Sequence, residues 1–199
     1  MSATEVLAVP RSLDEQKREF ASRRFLAMPL AGMIAWVVIG VAGAALPTFP
    51  ATMVLFIGAG SIIYLGMFIS RFTGEHFLDR SKQRNVFDGL FFYTVAMALL
   101  VFSIAIPYFL VDHTSLPLTV GILTGLMWLP MSWLIEHWIG IFHAVARTLA
   151  IVAAWYLWPD LRFVAIPIII VLIYGVSIVV LERRWRRQRT LAASSNSRA

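Results

Sequence analysis

Cysteine is absent from the sequence, and its absence excludes a whole group of functions. Without cysteine the chain forms no disulfide, holds no metal through thiolates and has no cysteine nucleophile. Lysine is rare as well: apart from Lys17 and Lys82 every basic residue is arginine, a bias typical of GC-rich bacterial genomes. The sequence also lacks a Gly-x-Ser-x-Gly elbow and a phosphate-binding glycine loop, which are common hydrolase and nucleotide-binding signatures.

Long apolar runs with almost no charge, in contrast, fill most of the chain. Hydrophobic residues make up 59% of the sequence and the mean hydropathy is +0.78, values too apolar for an ordinary soluble domain. A helix of about 20 apolar residues crosses a bilayer core of about 30 Å. The sequence therefore predicts an all-α, six-helix transmembrane bundle over residues 27–181. The predicted spans are 27–47, 51–70, 89–111, 115–135, 138–158 and 163–181.

The positions of the basic residues predict the orientation of this bundle. Apart from Arg147 and Arg162, every Lys and Arg lies in segments 1–26, 71–88 and 182–199, which six spans bring to one side. Because basic residues remain in the cytoplasm, we expect both termini there, with the bundle in a bacterial cytoplasmic membrane. The net charge of +6 then reflects orientation, and we expect no nucleic acid partner.

Two polar segments flank the bundle. In segment 1–26, Ser12 and Glu15 have the spacing of a capping box, which predicts a short amphipathic helix from Leu13 that lies against the headgroups. Because this segment has no apolar stretch, we expect no cleavable signal peptide. Segment 182–199 is a basic tail, and its small polar residues from Leu191 onward predict partial disorder.

Arginine and tryptophan side chains are the expected contacts with membrane lipids. Four arginines of the tail either bind anionic headgroups or serve only as an orientation signal: Arg183, Arg184, Arg186 and Arg187. Six tryptophans, mostly near the predicted span ends, are typical of an interfacial belt: Trp36, Trp128, Trp133, Trp138, Trp155 and Trp158. We interpret these tryptophans as membrane anchors rather than as ligand contacts.

Small residues and prolines mark special points within the spans. Gly121 and Gly125 form a Gly-x-x-x-Gly pair, which suits close helix packing either within the bundle or in a homodimer. Pro107 and Pro130 lie inside spans, and Pro130 leaves the carbonyl of Leu126 without its usual helical donor. These prolines predict bends in the third and fourth spans.

A polar stripe in the fifth span is the candidate substrate site. Arg147 lies well inside the span, where a charge is costly and usually faces the bundle interior or a wet cavity. His143 lies one turn before it on the same face, and Glu136 continues the stripe, although it is too distant to pair with Arg147 directly. Alternatively, a later start of the helix allows the guanidinium to snorkel toward the headgroups, which makes Arg147 structural.

A repeated Glu-His dipeptide near the ends of the second and fourth spans is the second candidate site. Its members are Glu75, His76, Glu136 and His137, residue types that bind Zn or Fe. The spacing matches no metal motif, so a solvated interfacial surface explains the same residues equally well. A metal is the one cofactor that the sequence suggests.

Two segments resemble a family of small bacterial membrane proteins of unknown function. Asn85-Val86-Phe87-Asp88-Gly89-Leu90 opens the third span, and Thr124-Gly125-Leu126-Met127-Trp128-Leu129-Pro130 lies in the fourth. The likeness continues through Trp133-Leu134 and the helix that bears Arg147. The resemblance implies a compact multi-helix membrane bundle and assigns no catalytic residue. Asp88 departs from it, since a small or apolar residue is expected there.

The sequence is compatible with three functions. The leading one is a non-enzymatic small-solute or lipid transporter, channel or binding protein that uses His143 and Arg147. The second is a membrane-embedded lipid-modifying enzyme at the cytoplasmic face, with the two Glu-His dipeptides as its site. The third is an accessory subunit of a membrane complex that has no site of its own.

Overall fold

The structure is a computed structural model that describes residues 11–75 and 85–196. The regular structure in these two segments is helical, which confirms the predicted all-α class. The helices are α1 (Leu13–Ala21), α2 (Ala27–Ala45), α3 (Thr48–Thr73), α4 (Val86–Leu100), α5 (Phe102–Val111), α6 (Leu116–Gly125), α7 (Trp128–Leu134), α8 (Ile139–Leu157) and α9 (Arg162–Asn196). A 3-10 turn, Pro159–Leu161, joins α8 to α9.

Six helical segments of the described chain are long and apolar enough to cross a membrane, as predicted. They are Ala27–Ala45, Thr48–Thr73, Val86–Val111, Leu116–Leu134, Ile139–Leu157 and Pro159–Ser194. Helices suit this environment because they satisfy most of their backbone hydrogen bonds internally, as the bilayer interior requires. The third span contains α4 and α5, and the fourth contains α6 and α7.

The fourth span is interrupted close to its proline. α6 ends at Gly125 and α7 begins at Trp128. Pro130 has no N–H to donate to Leu126, and the Leu126 carbonyl instead accepts the N–H of Leu129 at 3.0 Å. The third span, which also contains a proline, is interrupted between α4 and α5.

The first span, α2, is the centre of the bundle and packs between α3 and α9. Trp36 and Ile39, midway along α2, have no exposed surface. The interfacial position expected for Trp36 is therefore wrong, because the residue faces the protein core. Gly43 allows α9 to approach closely, since a Cβ at this position would lie 2.1 Å from the carbonyl oxygen of Phe163.

The start of α2 and the second half of α9 meet at one end of the bundle, which we call the basic end. Arg24, just before α2, donates to the two carboxylate oxygens of Glu182 at 2.9 and 3.1 Å. Arg184 donates to the carbonyl oxygens of Ala21 and Ile135. Arg184, one of the four arginines expected to contact headgroups, therefore faces the protein and joins α9 to two other elements.

α9 continues well beyond the expected end of the sixth span at residue 181. Where the sequence predicts disorder from Leu191, the helix runs to Asn196. Its last turns contain no proline or glycine and are rich in arginine and alanine, which favour a helix. The other three arginines expected at the headgroups are exposed on this extension: Arg183, Arg186 and Arg187.

α1 is fixed to the basic end of the bundle by both apolar and polar contacts. The predicted capping box is present: Ser12 Oγ accepts the Glu15 N–H, and the Glu15 carboxylate accepts the Ser12 N–H. Phe20 is buried against the aromatic rings of α4. Asn85, the N-cap of α4, donates to the carbonyl oxygen of Gln16 at 2.8 Å. α1 thus packs on the protein, whereas the sequence predicted a helix against the headgroups.

Candidate functional site

Arg147 is fully buried midway along α8, about 12 Å from the start of the helix at the basic end. Glycine provides the space, since a Cβ at Gly125 would lie 2.9 Å from the Arg147 Cδ. A Cβ at Gly121 would lie 3.0 Å from the Ile151 Cδ1 on the same helix as Arg147. The Gly-x-x-x-Gly pair therefore faces the bundle interior. The guanidinium does not snorkel, because its side chain is enclosed by protein.

The guanidinium of Arg147 is held by neutral groups. Its Nε donates to the carbonyl oxygen of Gly121 at 2.7 Å, and its Nη2 donates to the Thr124 Oγ1 at 3.0 Å. Its Nη1 lies 3.5 Å from the Tyr174 hydroxyl and 3.4 Å from the His143 Nε2. No carboxylate within residues 11–75 and 85–196 forms an ion pair with it. Hydrogen bonds to uncharged acceptors therefore surround this buried charge.

His143 lies one turn before Arg147, as predicted, and stacks on Trp128. The two ring centroids are 3.9 Å apart and the ring planes differ by 11°. Because a guanidinium only donates, the His143 Nε2 is the acceptor, and the proton of the neutral ring lies on Nδ1. Nδ1 then donates to the Ser177 Oγ at 2.9 Å, and the Ser177 hydroxyl donates to the carbonyl oxygen of Ile173. This chain of hydrogen bonds favours a neutral His143.

Glu136 is not part of this cluster. It lies in the loop between α7 and α8, with a φ of 52°, and its carboxylate binds Lys17 of α1 at 2.8 Å. The turn between the two helices removes Glu136 from the regular face of α8. The structure therefore brings His143 and Arg147 together, whereas Glu136 connects α1 to the bundle.

An apolar cavity of about 90 Å³ lies between α3 and α4, beside the cluster. α3 packs mainly on α2, whereas α4 packs on α1, α5 and α7. The walls are mostly apolar and include Ala59 of α3 and Ala98 of α4. Thr124 and Tyr174, whose hydroxyls contact Arg147, also line the cavity. The cavity therefore reaches two of the residues that contact the buried guanidinium.

Glu75 lines the same cavity at the basic end. Gly74, with a φ of 75°, ends α3 and lets the chain turn back toward α2. The Glu75 Oε1 accepts the N–H groups of Leu26 and Ala27, both at 2.8 Å, and so caps the first turn of α2. Its Oε2 is buried and has no hydrogen-bond partner in the described part of the chain. Burial raises the pKa of Glu75, and the two backbone donors, the Thr73 hydroxyl and the charge of Arg24 oppose this effect.

Residues 13–184 match the Family of unknown function (DUF7010). The chain belongs to the DUF7010 family. No curated protein and no solved structure matches it. The expectation of a multi-spanning membrane protein from a family of unknown function is therefore confirmed. Asp88 of this DUF7010 member, which departs from the expected pattern, binds the guanidinium of Arg23 at the basic end.

The two Glu-His dipeptides of this DUF7010 member do not assemble as a site in the described chain. Within residues 11–75 and 85–196, no three His, Asp or Glu side chains form a group that could hold a metal ion. Glu75 caps α2, and Glu136 binds α1. Burial, together with the charge of Arg184, lowers the pKa of His137. His76 lies outside the described residues.

Three residues around His143 and Arg147 were not found by reading the sequence: Trp128, Tyr174 and Ser177. Trp128 was interpreted as a membrane anchor, but it is buried at the start of α7, midway along the fourth span. Tyr174 and Ser177 lie three residues apart and hence on one face of α9, where the surrounding run is apolar. This i, i+3 pair was the signal available in the sequence of the DUF7010 member.

Proposed function

We propose that this integral membrane protein binds an amphiphilic small molecule or lipid in the cavity between α3 and α4. One observation supports this proposal: a mostly apolar cavity has a carboxylate, Glu75, at one end and the hydroxyls of Thr124 and Tyr174 at the other. Small-molecule sites in proteins typically combine apolar walls with a few polar groups that orient the ligand.

The depth of the cavity is appropriate for a molecule of the bilayer. Glu75 follows directly after α3, and Ala59 lies 14 residues before the end of that helix at Thr73, about 21 Å along its axis. The cavity walls therefore extend from the level of the span ends toward the membrane interior. Such walls favour part of an acyl chain or an apolar ring, because it gains packing contacts that an empty void lacks.

Substitution of Ala98 with phenylalanine tests this proposal. Ala98 lines the cavity, so the larger ring should occupy the space and prevent ligand binding. We expect native mass spectrometry from a mild detergent to find a retained amphiphile on the wild-type protein and its loss from Ala98→Phe.

Ala96→Phe is the matched control for this experiment. Ala96 is on the same helix and is exposed, so the same substitution leaves the cavity open. It should retain the amphiphile at the wild-type level. An Ala98→Phe protein that retains as much amphiphile as Ala96→Phe would contradict the proposed function.

We further infer that the basic end faces the cytoplasm, in a bacterial cytoplasmic membrane. Arg24 and Arg184 lie at this end together with the exposed arginines of α9, and the positive-inside rule favours such a distribution. Because the natural chain lacks cysteine, a maleimide reacts only with the single cysteine that is introduced, and its labelling shows whether that position is accessible. In spheroplasts, a membrane-impermeant maleimide should label Asp160→Cys and should label Ser22→Cys only after permeabilisation. Both positions are exposed, and they lie at opposite ends of the bundle, so the reverse pattern would overturn the orientation.

A further inference from the structure

One oxygen of the Glu75 carboxylate accepts hydrogen bonds from the described protein, and the other does not. Oε1 already accepts two backbone N–H groups, from Leu26 and Ala27. Oε2 is buried and has no partner among the described residues, although a buried acceptor without a donor is costly. Glu75 lines the cavity, so a ligand in that space could supply the missing donor.

Arg24, whose positive charge acts on Glu75, is already committed to another carboxylate. Arg24 donates from Nε and Nη2 to Glu182, and its Nη1 lies 3.4 Å from the carbonyl oxygen of Thr73. None of these hydrogen bonds reaches the Glu75 Oε2. Among the described residues, Arg24 therefore provides a charge near this oxygen but no hydrogen bond to it.

Aromatic rings form a large part of the same cavity wall. Phe25 and Phe91 line it together with Glu75, and Phe25 directly precedes Leu26, whose N–H donates to the Glu75 carboxylate. The faces of aromatic rings attract cations, and this attraction increases when the cation is removed from water. A carboxylate beside aromatic rings is therefore electrostatically suited to a cationic group on an apolar molecule.

We propose that Glu75 recognises a protonated amine on the amphiphile, with the amine N–H donating to Oε2 and the apolar portion lying between α3 and α4. This proposal rests on the proposed function and specifies the ligand class. It orients the ligand as a bilayer lipid is oriented, with the polar group at the span ends and the apolar portion in the membrane core. The amine belongs either to a lipid headgroup or to a single-chain lipophilic amine, and both present the same ammonium donor.

Glu75→Gln is the test substitution, because it preserves the shape of the side chain. The glutamine Oε1 can still accept the N–H groups of Leu26 and Ala27, but the group that replaces Oε2 becomes an N–H donor. We expect dodecylamine to bind the full-length wild-type protein in detergent roughly tenfold or more tightly than it binds Glu75→Gln. Dodecanol should bind both proteins alike, since it carries no charge. Equal affinity of the two proteins for dodecylamine would overturn the proposal.

Asp14→Asn is the control for the change in net charge. Asp14 is exposed on α1 at the basic end and does not line the cavity. The Asp14→Asn protein should therefore bind dodecylamine with the same affinity as the wild-type protein. A tenfold loss in Asp14→Asn would assign the effect to the overall charge and overturn the role of Glu75. If Glu75→Gln does not fold, the comparison moves to the wild-type protein. Dodecyltrimethylammonium has no N–H, so it should bind the wild-type protein more weakly than dodecylamine does. Equal binding of the two compounds would contradict the proposed hydrogen bond from the amine to the Glu75 Oε2.

Nanodiscs distinguish the two sources of the amine. If a lipid headgroup supplies it, protein from phosphatidylethanolamine discs should retain that lipid, whereas protein from phosphatidylglycerol discs with the same acyl chains should not. If a single-chain amine supplies it, neither lipid is retained and added dodecylamine is bound. Failure of the proposed function gives a different result: Ala98→Phe then binds dodecanol and dodecylamine as the wild-type protein does.

Discussion

Replacement of Arg147 with alanine should lower the free energy of unfolding by roughly 3 kcal/mol. The guanidinium joins α8 to α6 through Gly121 and Thr124 and to α9 through Tyr174, and it lies 5.5 Å from the ring centroid of Trp36 on α2. Alanine removes all of these contacts and leaves a void that neighbouring helices fill only in part. Reversible unfolding in mixed micelles, followed by circular dichroism, measures the loss.

Leu149→Ala is the control for this prediction. Leu149 is on the same helix but is 64% exposed, so its side chain contacts lipid rather than protein. Because lipid replaces lost apolar contacts there, we expect a much smaller effect. Arg147→Lys should remain clearly destabilised, since a single ammonium does not reproduce the planar guanidinium. Equal stability of Arg147→Ala and Leu149→Ala would show that Arg147 does not join the helices.

Replacement of Gly43 with alanine should lower the free energy of unfolding by about 2 kcal/mol, although alanine is the better helix former. The added Cβ would lie 2.1 Å from the carbonyl oxygen of Phe163 and 2.8 Å from its Cβ. The nearest of these is a backbone atom, so relief requires α2 and α9 to separate. The same unfolding assay should detect the loss.

Gly60→Ala should instead raise the free energy of unfolding. Gly60 lies inside α3, and a Cβ there would meet nothing within 4 Å. Alanine then contributes only its higher helix propensity, a gain of up to about 1 kcal/mol. A loss of stability in Gly60→Ala similar to that in Gly43→Ala would indicate a general intolerance of these helices to alanine, and the close approach of α2 to α9 would no longer explain the effect.

The spans could be predicted from the sequence because they depend on a local property. A run of about 20 apolar residues specifies a membrane-spanning helix without any knowledge of its neighbours. The position of α1 and the length of α9 depend on more than this property. α1 is fixed by Phe20 and Gln16, which find their partners on α4 only after the bundle forms. α9 extends past Leu191 because its local helix propensity outweighs the polarity that suggested disorder.

The candidate site was predictable only where its residues share a helix. His143 and Arg147 are four residues apart, so helical periodicity places them on one face. Trp128, Ser177 and Gly125 join them from other helices, and no sequence periodicity relates these positions. The capping of α2 by Glu75 could not be predicted for the same reason. The hydrogen bonds between the Glu75 carboxylate and the start of α2 join residues about 48 positions apart in the sequence.

The close packing of α2 against α9 has a consequence for biosynthesis. A ribosome delivers α2 well before α9, so the central helix enters the bilayer long before one of its two main neighbours exists. Until then, the surface around Gly43 is covered by lipid, and Arg24 has no Glu182 to bind. A nascent chain that stops short of α9 therefore keeps its central helix partly unsupported. The core around α2 is therefore complete only after α9 has been made and packed against it.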